Sequence, residues 1–482
     1  MTKKSKEGLS VKKQENFSEW FSQILKKAEL IDLRLDLKGF MVYRPLAAQI
    51  IENMFKLYEE ELQKRGHELT RMPMVIPEEN LKKEASHVKG FTPEVFWLKE
   101  IGNEKLALRP TSETLYTPMF SLWINSYRDL PMKLYQKGSV FRFDTKATRP
   151  LIRTREIIWI ETHNAFATKE EAEKQVQEDI EITEKVMHQK FGIPFLPMKR
   201  PSWDKFPGAE YTIGSDVFMP DGKLIQQPST HLMGQKFSKV FEATFKNFNE
   251  KKEYLWTTAY GPAISRIFAS IIATHGDDSG LIIPFCIAPT QVIIIPIFNA
   301  KNKNVLLKEA KKIKKKLESL GIRSKIDDSE KRPGEKYHIW ELKGVPFRIE
   351  IGEKELNSKK VTLYTRDLGK KEFLKTKEIS KLKKLGKIFD ERIKEKAEEI
   401  MNGRILNAKT KEELKKIIKN KKIARINFCS TKESGEKCAQ IIEKEINAEI
   451  RGNLANKKEK ATGKCIICGK SAKEVVYVGK SY

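Results

Sequence analysis

Residues 140–166 carry the densest set of reactive side chains in the chain. Val140-Phe141-Arg142-Phe143-Asp144 leads into a short polar loop, and a second apolar run extends from Leu151 to Phe166. Arg142, Arg149, Arg153 and Arg155 fall close together here, beside Asp144, Glu156, Glu161 and His163. A guanidinium is a planar fork that holds two phosphate oxygens at once. Two strand-like runs around such a loop predict a strand-loop-strand cradle for a polyphosphate, with carboxylates and an imidazole left for a second, smaller ligand. Trp159, Glu161 and His163 alternate along the second run, so they share one face of a strand. That face is either ordinary sheet with a satisfied core histidine, or the wall of a pocket for a small amino acid.

Other groupings are weaker alone. Thr111-Ser112-Glu113 reads as a helix N-cap followed by an acid in the first turn. Gly261 to Arg266 precedes an apolar helix and then His275-Gly276-Asp277-Asp278. Cys465-Ile466-Ile467-Cys468 has zinc-knuckle spacing, and Cys429 and Cys438 lie in the same C-terminal stretch. These four cysteines are expected to bind one zinc; reduced structural thiols are the alternative. Cys286 reads as packing.

The elements that must position these groups follow from periodicity. Residues 17–30 and 45–66 have helical apolar spacing, and Arg65-Gly66 is a helix stop. Met72 to Pro77 reads as extended chain. Thr168 with Glu171 forms a capping box for a helix to about Lys190, with Ala172, Val176, Ile180 and Met187 inward. This α+β region, with antiparallel strands around the cradle, reaches about Pro284. Beyond it, strands at 291–298, 322–326, 345–351 and 361–364 alternate with helices at 305–320 and ending at 340–343, which predicts a small α/β sheet. Residues 379–422 read as a Lys/Glu-rich helical connector, and the tail from Ile423 as a third unit.

The chain has 482 residues and a formal charge of +27, from 92 Lys and Arg against 65 Asp and Glu. Such an excess suits a polyanionic partner, although Lys-rich drift in composition would raise the bulk charge too. The clustered arginines are not explained by that drift. No apolar run approaches the ~18 residues of a membrane span. Residues 1–16 are Lys-rich and lack the apolar core of a secretory signal, so a cytoplasmic protein is expected.

The segment from Leu151 to Phe166 resembles motif 2 of class II aminoacyl-tRNA synthetases, and most closely that of the archaeal and eukaryotic prolyl-tRNA synthetases. Arg142-Phe143-Asp144 stands where that family has Arg-Trp-Glu. Leu108 to Thr114 resembles the loop with which the family holds the substrate's amino group. Lys205-Phe206-Pro207-Gly208-Ala209 resembles the loop whose aromatic side chain packs on the proline ring. Gln226 to Phe237 is similar to its Gln-Gly-Ala-Thr-Ser-His segment. Gly261 to Arg266, with Thr274 to Leu281, resembles motif 3, and Trp340 to Gly352 resembles its anticodon-binding domain.

The resemblance implies an α+β class II catalytic domain with an antiparallel sheet over residues 1–286. An α/β anticodon-binding domain over 287–395 and a small C-terminal α+β domain over 396–482, carrying the zinc-binding cysteines, would follow. It implies Thr111, Glu113, Arg142, Trp159, Glu161, His163, Phe206 and His231 at proline. Arg142, Asp144, Arg153, Thr154, Gln226, Ser229 and Arg266 would meet ATP and its Mg²⁺, with Arg142 and Arg266 catalytic. Glu341, Arg348 and Lys354 would read anticodon bases of a proline-specific tRNA. The helix from Leu46 to Arg65 and the strand with Pro73 resemble motif 1, which implies a homodimer. About 95 residues separate the hairpin from the Gly261 motif, which leaves no room for a large inserted editing domain. The terminal Tyr482 is expected to dock near the aminoacyl site. A sister class II synthetase for threonine or glycine, and a catalytically inactive tRNA-binding paralogue, are the alternative functions.

Overall fold

The computed structural model describes residues 8–87, 94–99, 104–143 and 147–482. Asp144 therefore lies outside the described residues. Eleven strands among those described form one sheet. Its central part runs Leu196–Lys199, Tyr211–Phe218, Lys223–Gly234, Trp256–Gly261, Glu156–Phe166 and Met132–Phe141, each antiparallel to the next. Glu68–Leu69 closes one edge in parallel with Met132–Phe141. At the other end Glu449–Leu454, Glu474–Ser481, Ile423–Phe428 and Ile405–Ala408 extend the same sheet. The C-terminal unit is thus hydrogen-bonded into the large sheet, through Asn453 and Leu454 opposite Lys199 and Met198.

Three helices back the central strands. Phe17–Lys27 starts at Asn16, whose side chain accepts from the Glu19 amide, and buries Phe17, Trp20, Phe21, Ile24 and Leu25. Pro45–Gln63 begins with proline, where no intrahelical N–H is lost, and buries Ala47, Ile50, Ile51, Met54, Phe55, Tyr58 and Leu62. Ile264–His275 is buried almost all round. These helices share one core with Tyr135, Ile160, Val217 and Tyr260 of the sheet. Each fully buried large side chain there contributes roughly 1.5–3 kcal/mol. The Thr168–Glu171 capping box forms as expected, and the helix Lys169–Thr183 continues into a wider π turn at Glu184–His188.

Residues 292–375 build a five-stranded sheet, in which Val292–Pro296 lies between Ser324–Ile326 and Phe347–Ile351, both parallel to it. Lys360–Thr365 and Lys370–Lys375 continue it antiparallel. The helix Lys303–Ser319 packs Leu306, Ala310, Ile313 and Leu317 on one face.

Residues 379–422 are helical in part, as expected, but not a mere connector. Leu382–Asn402 is a helix whose Leu382, Gly386, Phe389, Ile393, Ala397 and Met401 are buried, and Leu382, Phe389 and Ile393 complete the core of the five-stranded sheet. A strand at Ile405–Ala408 and a helix at Lys411–Lys419 follow. A narrow stripe at every third or fourth position is diluted by the lysines between, so average apolar density concealed it.

Candidate active site

The hairpin Met132–Phe141 and Glu156–Phe166 has a register in which Gln136 faces Glu161 and Gly138 faces Trp159. Period-2 alternation puts Trp159, Glu161 and His163 on one face, where all three border a cavity of about 550 Å³. Glu161 is buried. It accepts from Ser112 Oγ at 2.5 Å and from Gln136 Nε2 at 2.7 Å, and lies 3.1 Å from His163 Nε2. Burial alone would raise its carboxyl. The hydrogen bonds from His163 and Ser112 and the charges of His163 and Arg109 outweigh that, leaving it below the usual carboxylate range. His163 stacks on the Tyr116 ring at 4.4 Å.

The loop before the helix Glu113–Trp123 supplies the next wall. Thr111 donates to the Glu113 carboxylate at 2.5 Å, and both line the cavity. Ser112, at the N-cap, makes no side-chain cap bond and turns instead to Glu161. Behind it, Arg109 donates to Gln136 Oε1 at 3.0 Å and to the Met72 and Pro73 carbonyls. Arg109, Gln136 and Tyr116 were not given a role from sequence, and Ser112 was read only as part of a helix N-cap. The only signal in the sequence was Gln136 itself, a polar residue in the first hairpin strand, and its place across from Glu161 comes from the register.

Opposite, the Phe206 ring lies 4.9 Å from the ring of His231. His231 is held by Thr212 at Nδ1 (2.9 Å) and Ser229 at Nε2 (3.1 Å). Burial, and then the positive charge of His163, Arg142 and Arg200, push its pKa down to about 3, so it is neutral at physiological pH. The strand that carries it has a register shift between Gln226 and Ser229. Such a bulge tolerates Pro228, which has no N–H to give the ladder. Gln226 and Gln227 then take different partners. Gln226 accepts from Arg200 Nη2 at 3.0 Å, and Gln227 donates to Ser270 and to the Arg266 carbonyl in the helix Ile264–His275.

Arginines gather at the open end. Arg142, Arg153 and Arg266 all border the cavity. Arg142 lies 5.9 Å from the Trp159 ring, and its Nε donates to the Pro110 carbonyl. Arg266 sits in the first turn of its helix, whose amide ends and dipole attract negative charge. Leu151, buried at φ 63, holds the tight turn in which the Arg149 and Arg153 backbones pair. Ser229 also borders the cavity. Thr154 does not: it borders a separate cavity of about 200 Å³, and its hydroxyl donates to the Glu156 carbonyl at 2.5 Å. One cavity thus joins a carboxylate-imidazole wall to a set of guanidiniums, which suits a small amino acid beside a polyphosphate.

Residues 96–275 match the class II tRNA synthetase core domain (G, H, P, S and T), and 291–385 match an anticodon binding domain. Residues 411–482 match the prolyl-tRNA synthetase C-terminal domain. A proline–tRNA ligase of Thermofilum pendens is 46% identical over 485 residues, covering 99% of this chain and 100% of the relative. The chain belongs to the prolyl-tRNA synthetases. One from Methanocaldococcus jannaschii is 48% identical over 73% of this chain and 78% of its own. A Giardia lamblia prolyl-tRNA synthetase solved with prolyl-adenylate superposes at a TM-score of 0.95, with 36% identity over 98% of this chain and 100% of that one. The Cryptosporidium parvum prolyl-tRNA synthetase solved with halofuginone and AMPPNP superposes at 0.92, with 32% identity over 99% and 100%.

Two further groups lie outside the cavity. In the five-stranded sheet, the Arg348 guanidinium is sandwiched between the Tyr337 and Tyr364 rings, 4.1 Å from each, and pairs with Glu350 at 3.0 Å. Tyr364 donates to Glu341 at 2.6 Å, so Glu341 and Arg348 belong to one cluster. Lys354 is exposed on the short helix Glu353–Asn357 that follows the strand. In the C-terminal unit, the sulfurs of Cys429, Cys438, Cys465 and Cys468 lie within 4.8 Å of one another. Four zinc-bound thiolates at about 2.3 Å from the metal would be slightly closer, so the set fits one zinc ion. Without metal, burial and then the Cys465 sulfur push the Cys429 thiol up to about 11.

Proposed function

We propose that this chain activates L-proline with ATP and transfers the prolyl group to a proline-specific tRNA. The observation that carries this reading is the single cavity shared by Glu113, Glu161 and His163 with Arg142, Arg153 and Arg266. A proline ammonium would pair with the buried carboxylates, and its ring would lie against Trp159, Phe206 and His231. A carboxylate oxygen of proline attacks the α-phosphorus of ATP as the bond to the bridging oxygen breaks, giving prolyl-adenylate and pyrophosphate. A terminal ribose hydroxyl of the tRNA then attacks the acyl carbon, and AMP leaves. The first step needs an in-line geometry and stabilisation of charge more than proton transfer. Arg142 would grip the proline carboxylate and α-phosphate, and Arg153 and Arg266 the other phosphate oxygens. Gln226 and Ser229 would touch the nucleotide. ATP would arrive with Mg²⁺, which lowers its charge.

In the same reading, residues 1–286 are the catalytic domain, 287–395 the anticodon-binding domain and 396–482 the C-terminal domain with a structural zinc. Glu341, Arg348 and Lys354 meet anticodon bases. The exposed Leu69 and Met74, in the region resembling motif 1, support a homodimer. Five cysteines without a disulfide, and no helix among the described residues long and apolar enough to cross a membrane, support a cytoplasmic enzyme.

Amino-acid-dependent ATP–pyrophosphate exchange tests the assignment. Proline should drive exchange and threonine and glycine should not. Equal exchange with either of those, or none with proline, overturns it.

A further inference from the structure

Gln226 is tied to the C-terminal unit by a buried chain of charges. Arg200 Nη2 donates to Gln226 Oε1 at 3.0 Å and to Asp216 Oδ1 at 2.6 Å. Its Nη1 donates to Asp216 Oδ2 and to the Arg451 carbonyl, both at 2.8 Å. From the other side, Arg451 reaches the same carboxylate through Nε at 2.8 Å and Nη2 at 3.1 Å. Asp216 is fully buried, and Arg200 and Arg451 are 4% and 5% exposed. Asp204, 3.8 Å from Arg200 Nε, and Glu449, 2.8 Å from Arg451 Nη1, are the other charges at this node.

The backbone is shaped to admit it. A Cβ on Gly214 would come within 2.5 Å of the Arg200 guanidinium, and one on Gly452 (φ 121) within 2.1 Å of the Lys199 carbonyl. Residues 451 and 216 are far apart in sequence, and strand pairing of Glu449–Leu454 with Leu196–Lys199 brings them together.

Docking alone does not account for this arrangement. One bidentate Arg–Asp pair would join the two units, and burying a second guanidinium costs several kcal/mol of desolvation. The second guanidinium, that of Arg200, adds one bond to the Arg451 carbonyl and one to Gln226, and only the first of these joins the units. An amide whose oxygen is engaged from behind can present only its N–H groups forward. We propose that the C-terminal unit sets nucleotide affinity through Arg451, Asp216, Arg200 and Gln226. Arg200 and Arg451 are positioning residues that hold the Gln226 amide with its N–H groups toward an acceptor atom of the nucleotide. This rests on the reading of Gln226 as a nucleotide contact.

The test is a double-mutant cycle on the full-length enzyme, with KM for ATP and for proline read separately in pyrophosphate exchange. Q226A should raise the ATP KM, and R200M should raise it about three- to tenfold, the worth of one buried hydrogen bond. The proline KM should stay within about twofold, since no contact to the proline wall is lost. In the Q226A background R200M should have no further effect. R451M should act in the same direction, and R451K, which retains one charge contact, should recover part of the loss. Melting curves identify any variant that fails to fold, in which case the Arg200–Gln226 cycle decides. An unchanged ATP KM in R200M, additive effects in the double variant, or equal rises for ATP and proline overturn the proposal. If Q226A itself leaves the ATP KM unchanged, the nucleotide contact fails as well.

Discussion

The guanidinium of Arg149, in the loop of the catalytic hairpin, lies 5.4 Å from the ring of Tyr482, the last residue of the chain. The Tyr482 hydroxyl donates to both carboxylate oxygens of Asp221 at 2.8 Å, and Asp221 lies 3.7 Å from Arg149. Arg149 also sits over Phe17 and Phe21. The C-terminus therefore braces the loop that continues to Arg153. Removing Tyr482 should lower kcat/KM for proline-dependent exchange about tenfold, since a desolvated cation–π contact is worth roughly 1–2 kcal/mol. The melting curve should keep its shape. Unchanged exchange would leave the tail without a catalytic role.

Arg142→Ala should slow exchange by at least ~100-fold, because one oriented charge contact at such a transition state is worth roughly 3 kcal/mol. Arg142 is exposed, so folding should not suffer. Exchange close to the unsubstituted rate would remove Arg142 from the chemistry.

His231 makes a signed prediction about acid stability. Its folded pKa of about 3 lies below the 6.5 of an exposed histidine. Between those values the unfolded chain binds a proton that the folded chain does not, so stability falls as pH falls from 6.5 toward 3. In His231→Asn this contribution is absent. Urea melts at several pH values should give a curve shallower by one proton, about 1.4 kcal/mol per pH unit. Parallel curves would place His231 in a less buried setting than the structure shows.

Arg348→Ala should weaken tRNA charging by ~1–3 kcal/mol, the usual worth of one base contact, and leave proline activation alone. Arg348→Lys should not rescue it, because an ammonium cannot stack between Tyr337 and Tyr364 as a planar guanidinium does. Equal losses in charging and activation would mean that the substitution damages the fold.

Metal analysis of protein never exposed to chelator should find one zinc per chain, and Cys465→Ser should lower it sharply. Cys465 is buried in the core of the C-terminal unit, so loss of metal should also destabilise that unit. Substoichiometric zinc in the unsubstituted protein would reduce the four cysteines to packing.

Much of this arrangement is local and was legible in the sequence. Alternation by two was enough to place Trp159, Glu161 and His163 on one face, and Thr168 with Glu171 marked a helix start, because both signals depend on residues a few positions apart. The family resemblance was carried in the same way by short runs such as Leu151–Phe166 and Trp340–Gly352. The tertiary structure decided what those residues touch. Gln136 meets Glu161 only through hairpin register. The buried stripe of Leu382–Asn402 needed a partner core before it could be told from a solvated lysine-rich helix. Thr154, next to Arg153, turns out of the cavity because the tight turn there commits its hydroxyl to a carbonyl. Arg451 reaches Asp216 because the last strands join the catalytic sheet. Pairings across such separations depend on strand order and register, which a local pattern does not encode, and burial then makes each one costly to leave unsatisfied.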